Sequence, residues 1–196
     1  MIVAAYLNTV AQALSELRVA QINAAVRRLH QVRSDGGAVY ICGNGGSAAT
    51  AAHFACDLLK AASSAGRPRL HAIALTSNAA VMTAYANDDG FEDVFVNQIS
   101  GLLCKRDAVV AISTSGRSVN VNKLVGFARA HGTATIGLTC RQGGMLPSLV
   151  DVCVDLPPGP IQMQEDVCSI ITHAISMGLR ESSEAAPAEA ETALCS

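Results

Sequence analysis

His53 and Asp57 stand four residues apart in a run of helix-forming residues, so an α-helix puts both on one face. An imidazole beside a carboxylate is half of a site for zinc or a similar divalent ion. It is equally a base with an acid/base partner. Glu165 and His173 make a second pair, eight residues apart, a span of about 12 Å on a straight helix. That span keeps both from reaching one ion within a single chain. A complete site is therefore expected to take His173, or the His53–Asp57 pair, from a neighbouring subunit. The plainer alternative is a solvated Asp57 and two hydrogen-bonded core histidines. His30, His71 and His131 belong to neither pair and are expected to have no functional role.

Two more segments carry anion-binding chemistry. Gly43-Asn44-Gly45-Gly46-Ser47 follows an apolar run and opens a helical pattern. Glycines let an anion approach the backbone, and a helix N-terminus offers free N–H groups and the positive end of the dipole. Ser113-Thr114-Ser115-Gly116-Arg117-Ser118 repeats the arrangement, with four hydroxyls around one glycine. Hydroxyls and backbone amides can hold a phosphate monoester without a lysine. Turn glycines, with Ser47 and Ser118 as ordinary N-caps, explain either segment alone more easily than both at one end of one sheet. Gly43-x-Gly45-x-x-Ala48 also fits the dinucleotide fingerprint. However, the next apolar run ends in Leu75-Thr76-Ser77-Asn78, with no acid for a ribose. Neither a G-x-x-x-x-G-K-[ST] loop nor a G-x-S-x-G elbow is present.

The elements that position these residues follow from the apolar pattern. Leu7, Val10, Leu14, Leu17, Ile22, Val26 and Leu29 recur at helical steps and predict one long amphipathic helix over 2–33. It stops at Ser34-Asp35-Gly36-Gly37. Apolar runs at 38–42, 71–75, 108–112, 135–138 and 151–156 then alternate with helical patterns. Those patterns lie at 47–61, 78–86, 91–103, 119–130, 143–149 and 163–181. Such alternation predicts an α/β fold, a doubly wound five-stranded parallel sheet with helices on both faces. Ligands in such folds sit at the carboxyl ends of the strands. We expect a single domain over 1–182 and a disordered Ala/Glu/Ser-rich tail over 183–196.

Composition bounds the function classes. Half of the 196 residues are hydrophobic (50%) and 15% are charged, enough apolar content for a large core. The net charge of -2 provides no basic field for nucleic acid. No run reaches the roughly 20 apolar residues of a spanning helix, so no membrane role is expected. The N-terminus lacks a basic n-region. The seven cysteines contain no C-x-x-C pair and are read as free thiols of a cytoplasmic protein. A mean hydropathy of +0.32 and the long first helix point to surface buried between subunits.

CGNGGSAATAAHF, the Ala86-Asn87-Asp88 triplet, AISTSGRS and the stretch from Gly137-Leu138-Thr139 to Gly143-Gly144 together resemble the sugar isomerase (SIS) domain family. Within it the chain is most similar to the phosphoheptose isomerases, which convert sedoheptulose 7-phosphate to D-glycero-D-manno-heptose 7-phosphate. The resemblance spans roughly residues 3–181. It implies the SIS fold, a homotetramer with active sites between subunits, and a divalent metal, with zinc expected. It further implies that Asn44, Gly45, Gly46, Ser47, Asn87 and Asp88 contact a sugar phosphate, with Glu165 beside them. Ser113, Thr114, Ser115 and Ser118 would cradle the phosphate. His53, Asp57, Glu165 and His173 would hold the metal, and Asp57 and His173 would be catalytic, as base and acid/base partner. Asp57 replaces the family's glutamate and is one methylene shorter, about 1.5 Å less reach. Glu165 replaces a glutamine, and a slip of one residue would put Gln164 there instead. An isomerase for another sugar phosphate, or a non-catalytic SIS protein binding a sugar phosphate or a replication-initiator-type partner, are the alternative readings.

Overall fold

The computed structural model describes residues 2–63, 68–140 and 142–184, with side chains to 181. Five parallel strands form one sheet: β1 (Ala38–Gly43), β2 (His71–Ala74), β3 (Ala108–Ile112), β4 (Ala134–Cys140) and β5 (Val152–Leu156). Their spatial order is β2-β1-β3-β4-β5. All four pairings are parallel, with Gly43 level with Ile112. The three central strands are apolar at nearly every position because both faces are covered.

Strand alternation divides the core in two. Val39, Ile41, Val110 and Ile112 point to one side, where they meet Ile22, Leu29, Phe54, Val167 and Ile171. Those residues come from α2 (Val19–Ser34), α3 (Gly46–Leu59) and α8 (Ile161–Glu184). Tyr40, Cys42, Val109 and Ala111 point to the other side, against Phe95, Ile99, Val121, Leu124 and Leu146. That layer contains α4 (Ala79–Asp88), α5 (Val96–Ile99), α6 (Val119–Ala130) and α7 (Leu146–Leu149).

Three predicted helices differ. The long first helix is two, α1 (Ile2–Ser15) and α2, separated by Glu16-Leu17-Arg18. Arg18 is extended (φ -88°, ψ 91°). The break lets α1 lie on α8 while α2 packs against both α8 and β5. Asp155 of β5 pins it, pairing with Arg18 at 3.6 Å and exchanging two hydrogen bonds with Gln21. The pattern over 91–103 contains only the short α5, because Gly90 and Gly101 hold left-handed backbone (φ +97° and +80°). The pattern over 143–149 shortens to α7, because Gly143 and Gly144 pass over another loop instead of joining the helix. The last helix continues through Glu184, and residues 185–196 of the expected tail lie outside the described residues. No described helix is long and apolar enough to cross a membrane.

Candidate active site

The first loop leaves β1 at Gly43 and turns into α3 through Gly45, whose backbone is left-handed (φ +56°). The Gly45 carbonyl accepts the N–H groups of Ala48 and Ala49. No side chain caps α3, and Ser47 is buried within the helix. On the far side of Gly46 lies Glu165 of α8, close enough that a Cβ at position 46 would overlap its carboxylate. Gln164 points elsewhere, buried, its amide donating to the Pro157 carbonyl. Of the two candidates one residue apart, Glu165 is the one that faces the glycine loop.

The second loop leaves β3 at Ile112 and turns into α6 at Ser118. Gly116 (φ +62°) forms the turn, its N–H donating to the Ser113 carbonyl. Ser118 occupies the N-cap position, yet its side chain makes no cap bond and faces the Ser113 hydroxyl at 3.3 Å. The α6 N-terminus and the hydroxyls thus converge at one point, with no Ser118 cap bond to occupy the helix end, which suits an anion. Ser115 is exposed, and its oxygen accepts the Arg117 N–H. Gly143 and Gly144 run so close over Ser115 and Gly116 that a Cβ at either would strike backbone. Thr139 is fully buried beneath Gly116, and its hydroxyl makes no hydrogen bond to the described residues.

α3 packs against α8, and that packing assembles a cluster the sequence reading divided between subunits. His53 and Asp57 of α3 meet His173 of α8 within the same chain. Asp57 Oδ1 is 3.7 Å from His53 Nε2, Oδ2 is 3.5 Å from His173 Nε2, and the two Nε2 atoms are 3.5 Å apart. No neighbouring subunit is needed to bring His173 to the pair. The spacing along α8 does keep Glu165 and His173 apart, with Glu165 two turns away at Gly46, but the packing of α8 on α3 brings His173 to the pair directly. Glu165 does not join the three-residue group.

The donor set fits a divalent ion. A tetrahedral ion with bonds of about 2.1 Å holds its ligand atoms about 3.4 Å apart, close to the observed spacing. Two imidazoles and a carboxylate leave one coordination position open. The imidazoles are partly exposed, and Asp57 lies between them with 16% of its side chain accessible.

Asn87 and Asp88 lie apart from this group. They occupy the exposed end of α4, where the Asn87 amide donates to Asp88, and no hydrogen bond links them to the loops or the histidines among the described residues. His131 is used structurally, its Nδ1 2.9 Å from the Phe127 carbonyl. The sequence reading missed Asn120, which is buried and paired with Asn44. Its signal was weak, because Asn120 shares the first turn of α6 with Asn122 and nothing local tells the buried amide from its neighbour.

Comparison with known proteins gives the same architecture. Residues 4–140 match the SIS domain family model. The phosphoheptose isomerase of Syntrophotalea carbinolica is 44% identical over 140 residues, 71% of each chain. That of Nitratidesulfovibrio vulgaris is 39% identical over 149 residues, 76% of this chain and 71% of its own. Among solved structures, phosphoheptose isomerase GmhA from Neisseria gonorrhoeae superposes with a TM-score of 0.84 at 32% identity, covering 91% of this chain and 97% of its own. A phosphoheptose isomerase from Francisella tularensis does so with 0.84 at 30% identity, covering 91% and 96%. With a family model spanning most of the chain and relatives this similar over most of their length, the chain belongs to the SIS-domain family, among the phosphoheptose isomerases.

Proposed function

We propose that this protein interconverts sedoheptulose 7-phosphate and D-glycero-D-manno-heptose 7-phosphate in the cytoplasm, as a zinc-dependent homotetramer. The observation that carries the chemistry is the carboxylate of Asp57 between two imidazoles, on the helix that begins at the glycine loop.

Aldose–ketose exchange moves one proton between adjacent carbons. Asp57 takes the proton from C1 of the ketose, and the electron pair forms the C1–C2 double bond of an enediol. Asp57 returns the proton to C2. His173, 3.5 Å from Asp57, moves the hydroxyl protons, giving one to the C2 oxygen and taking one from the C1 oxygen, so that atoms and charge balance. The residues available to hold a zinc ion are His53, Asp57 and His173, and a bound ion would supply a Lewis acid for the carbonyl. Ser113, Thr114, Ser115 and Ser118 hold the phosphate with the α6 N-terminus. Asn44, Gly45, Gly46 and Ser47 face the sugar, with Glu165 behind Gly46. Asn87 and Asp88, exposed at the end of α4, contact the sugar phosphate in a neighbouring subunit's site under this reading.

The test is incubation with sedoheptulose 7-phosphate, with and without zinc, followed by assay for the aldose. Aldose formation that a chelator abolishes and zinc restores is the expected result. A protein that binds the ketose phosphate without converting it, under either condition, would be a non-catalytic member.

A further inference from the structure

Asn44 and Asn120 form a closed pair between the two loops. Asn44 Nδ2 donates to Asn120 Oδ1 at 2.9 Å, and Asn120 Nδ2 donates to Asn44 Oδ1 at 3.0 Å. Asn120 Oδ1 also accepts the Val121 N–H at 2.9 Å, which orients the amide from its own helix. Asn120 is 2% exposed. Among the described residues this is the one side-chain hydrogen-bond bridge between 43–47 and 113–120.

Its location gives the pair a role. β1 and β3 are neighbours in the sheet, but the chain leaves β1 toward β2 and leaves β3 toward β4. This is the topological switch point, where the loops diverge and a crevice opens. Diverging loops have no backbone ladder to fix their separation. Under the function proposed above, one loop holds the phosphate and the other leads into the helix bearing Asp57. Their separation sets how far the phosphate lies from the reacting carbons.

We propose that Asn120 is a positioning residue that acts through Asn44, clamping the glycine loop to the serine loop so that a phosphate held by one places the sugar's reacting carbons at the other. This rests on the isomerase reading for its catalytic consequence, though not for the clamp itself. A buried two-point amide pair costs little further ordering when substrate binds. A misplacement of about 1 Å can cost about 10²-fold in rate.

Asn120→Ala is expected to lower kcat by about 10- to 100-fold, with KM and the affinity for inorganic phosphate unchanged. In Asn44→Ala/Asn120→Ala the loss should be smaller than the product of the single losses, because both remove the same bridge. An unchanged kcat, or losses that multiply, would overturn the clamp. Loss of phosphate affinity together with kcat would also overturn it, assigning Asn120 to the fold of the serine loop. If Asn120→Ala does not fold, Asn120→Ser keeps a polar group there without the two-point bond and serves in its place. Hydrogen exchange supplies a readout independent of activity: the Ala48 and Ala49 amides, bonded to Gly45, should exchange faster in the variant. Unchanged exchange rejects the clamp. An inactive wild type rejects the isomerase reading and leaves the exchange measurement to decide the clamp.

Discussion

Asp57 is the least exposed of the three clustered side chains, at 16% against 58% for His53 and 49% for His173, and each of its oxygens faces one imidazole. Although shorter than the family's glutamate, it therefore reaches both partners. Asp57→Asn should lower turnover by at least about 10²-fold and weaken zinc binding, with phosphate affinity intact because the serine loop is separate. Full activity in that variant, by the aldose assay, would move the base to Glu165. Asp57→Glu shifts the carboxylate by about 1.5 Å against two imidazoles already 3.5 Å apart, and should reduce kcat rather than raise it. An increase would mean that the site was not shaped around the shorter acid. A second residue-scale effect lies in the core, where burial raises the Cys168 thiol from 9.0 to about 12. Between those values the unfolded thiol has lost its proton and the folded one keeps it. The folded state then binds more protons, so stability falls as pH rises. Denaturant midpoints measured from pH 9 to 11 should fall less steeply for Cys168→Ala than for wild type, and parallel slopes would count against this account.

At the scale of elements, the site depends on two helices and two loops. α3 presents small residues, Ala51 and Ala55, on its buried side and His53 and Asp57 beside them, so α8 comes close enough to deliver His173. The serine loop is built differently, its hydroxyls gathered at one helix end and held from behind by the close crossing of Gly143 and Gly144. Ser115→Ala with Ser118→Ala removes two hydroxyls while leaving that crossing in place. Sugar-phosphate affinity should drop by about 10²-fold or more, at roughly 1.5–3 kcal/mol for each of the two lost charge-assisted hydrogen bonds. The thermal midpoint should stay near wild type. Calorimetric titration alongside thermal unfolding separates the two effects, and an unchanged affinity would place the anion elsewhere.

For the whole molecule, α1 lies on α8 by one face, with Tyr6 donating a hydrogen bond to Asp166 and Val10 and Leu14 packed on the core. Its other face leaves Ile2, Val3 and Leu7 exposed at 87%, 73% and 61%, and Val19 follows at 64%. Apolar residues clustered in this way need a cover. Light scattering at micromolar protein should give the mass of a tetramer, and Val3→Lys with Leu7→Lys should shift it to smaller species. A monomeric wild type would reject the assembly.

Periodicity and glycine punctuation made most of the architecture legible. Alternating apolar runs and helical patterns gave the five strands within a residue or two, because a sheet buried on both faces must be apolar throughout. The glycine and serine loops were equally plain, since left-handed turns and clustered hydroxyls are written in consecutive residues. The family followed from the same segments. Contacts between residues distant in sequence were not legible. His173 joins His53 and Asp57 across 120 positions only because α8 packs on α3. Glu165 rather than Gln164 faces Gly46 because the rotation of α8 buries one and turns the other outward. The first helix breaks at Arg18, where α2 turns to pack on β5 and Arg18 and Gln21 meet Asp155 of the last strand, a contact distant in sequence. Local patterning decides which elements form, and the docking of one helix face on another decides which side chains meet.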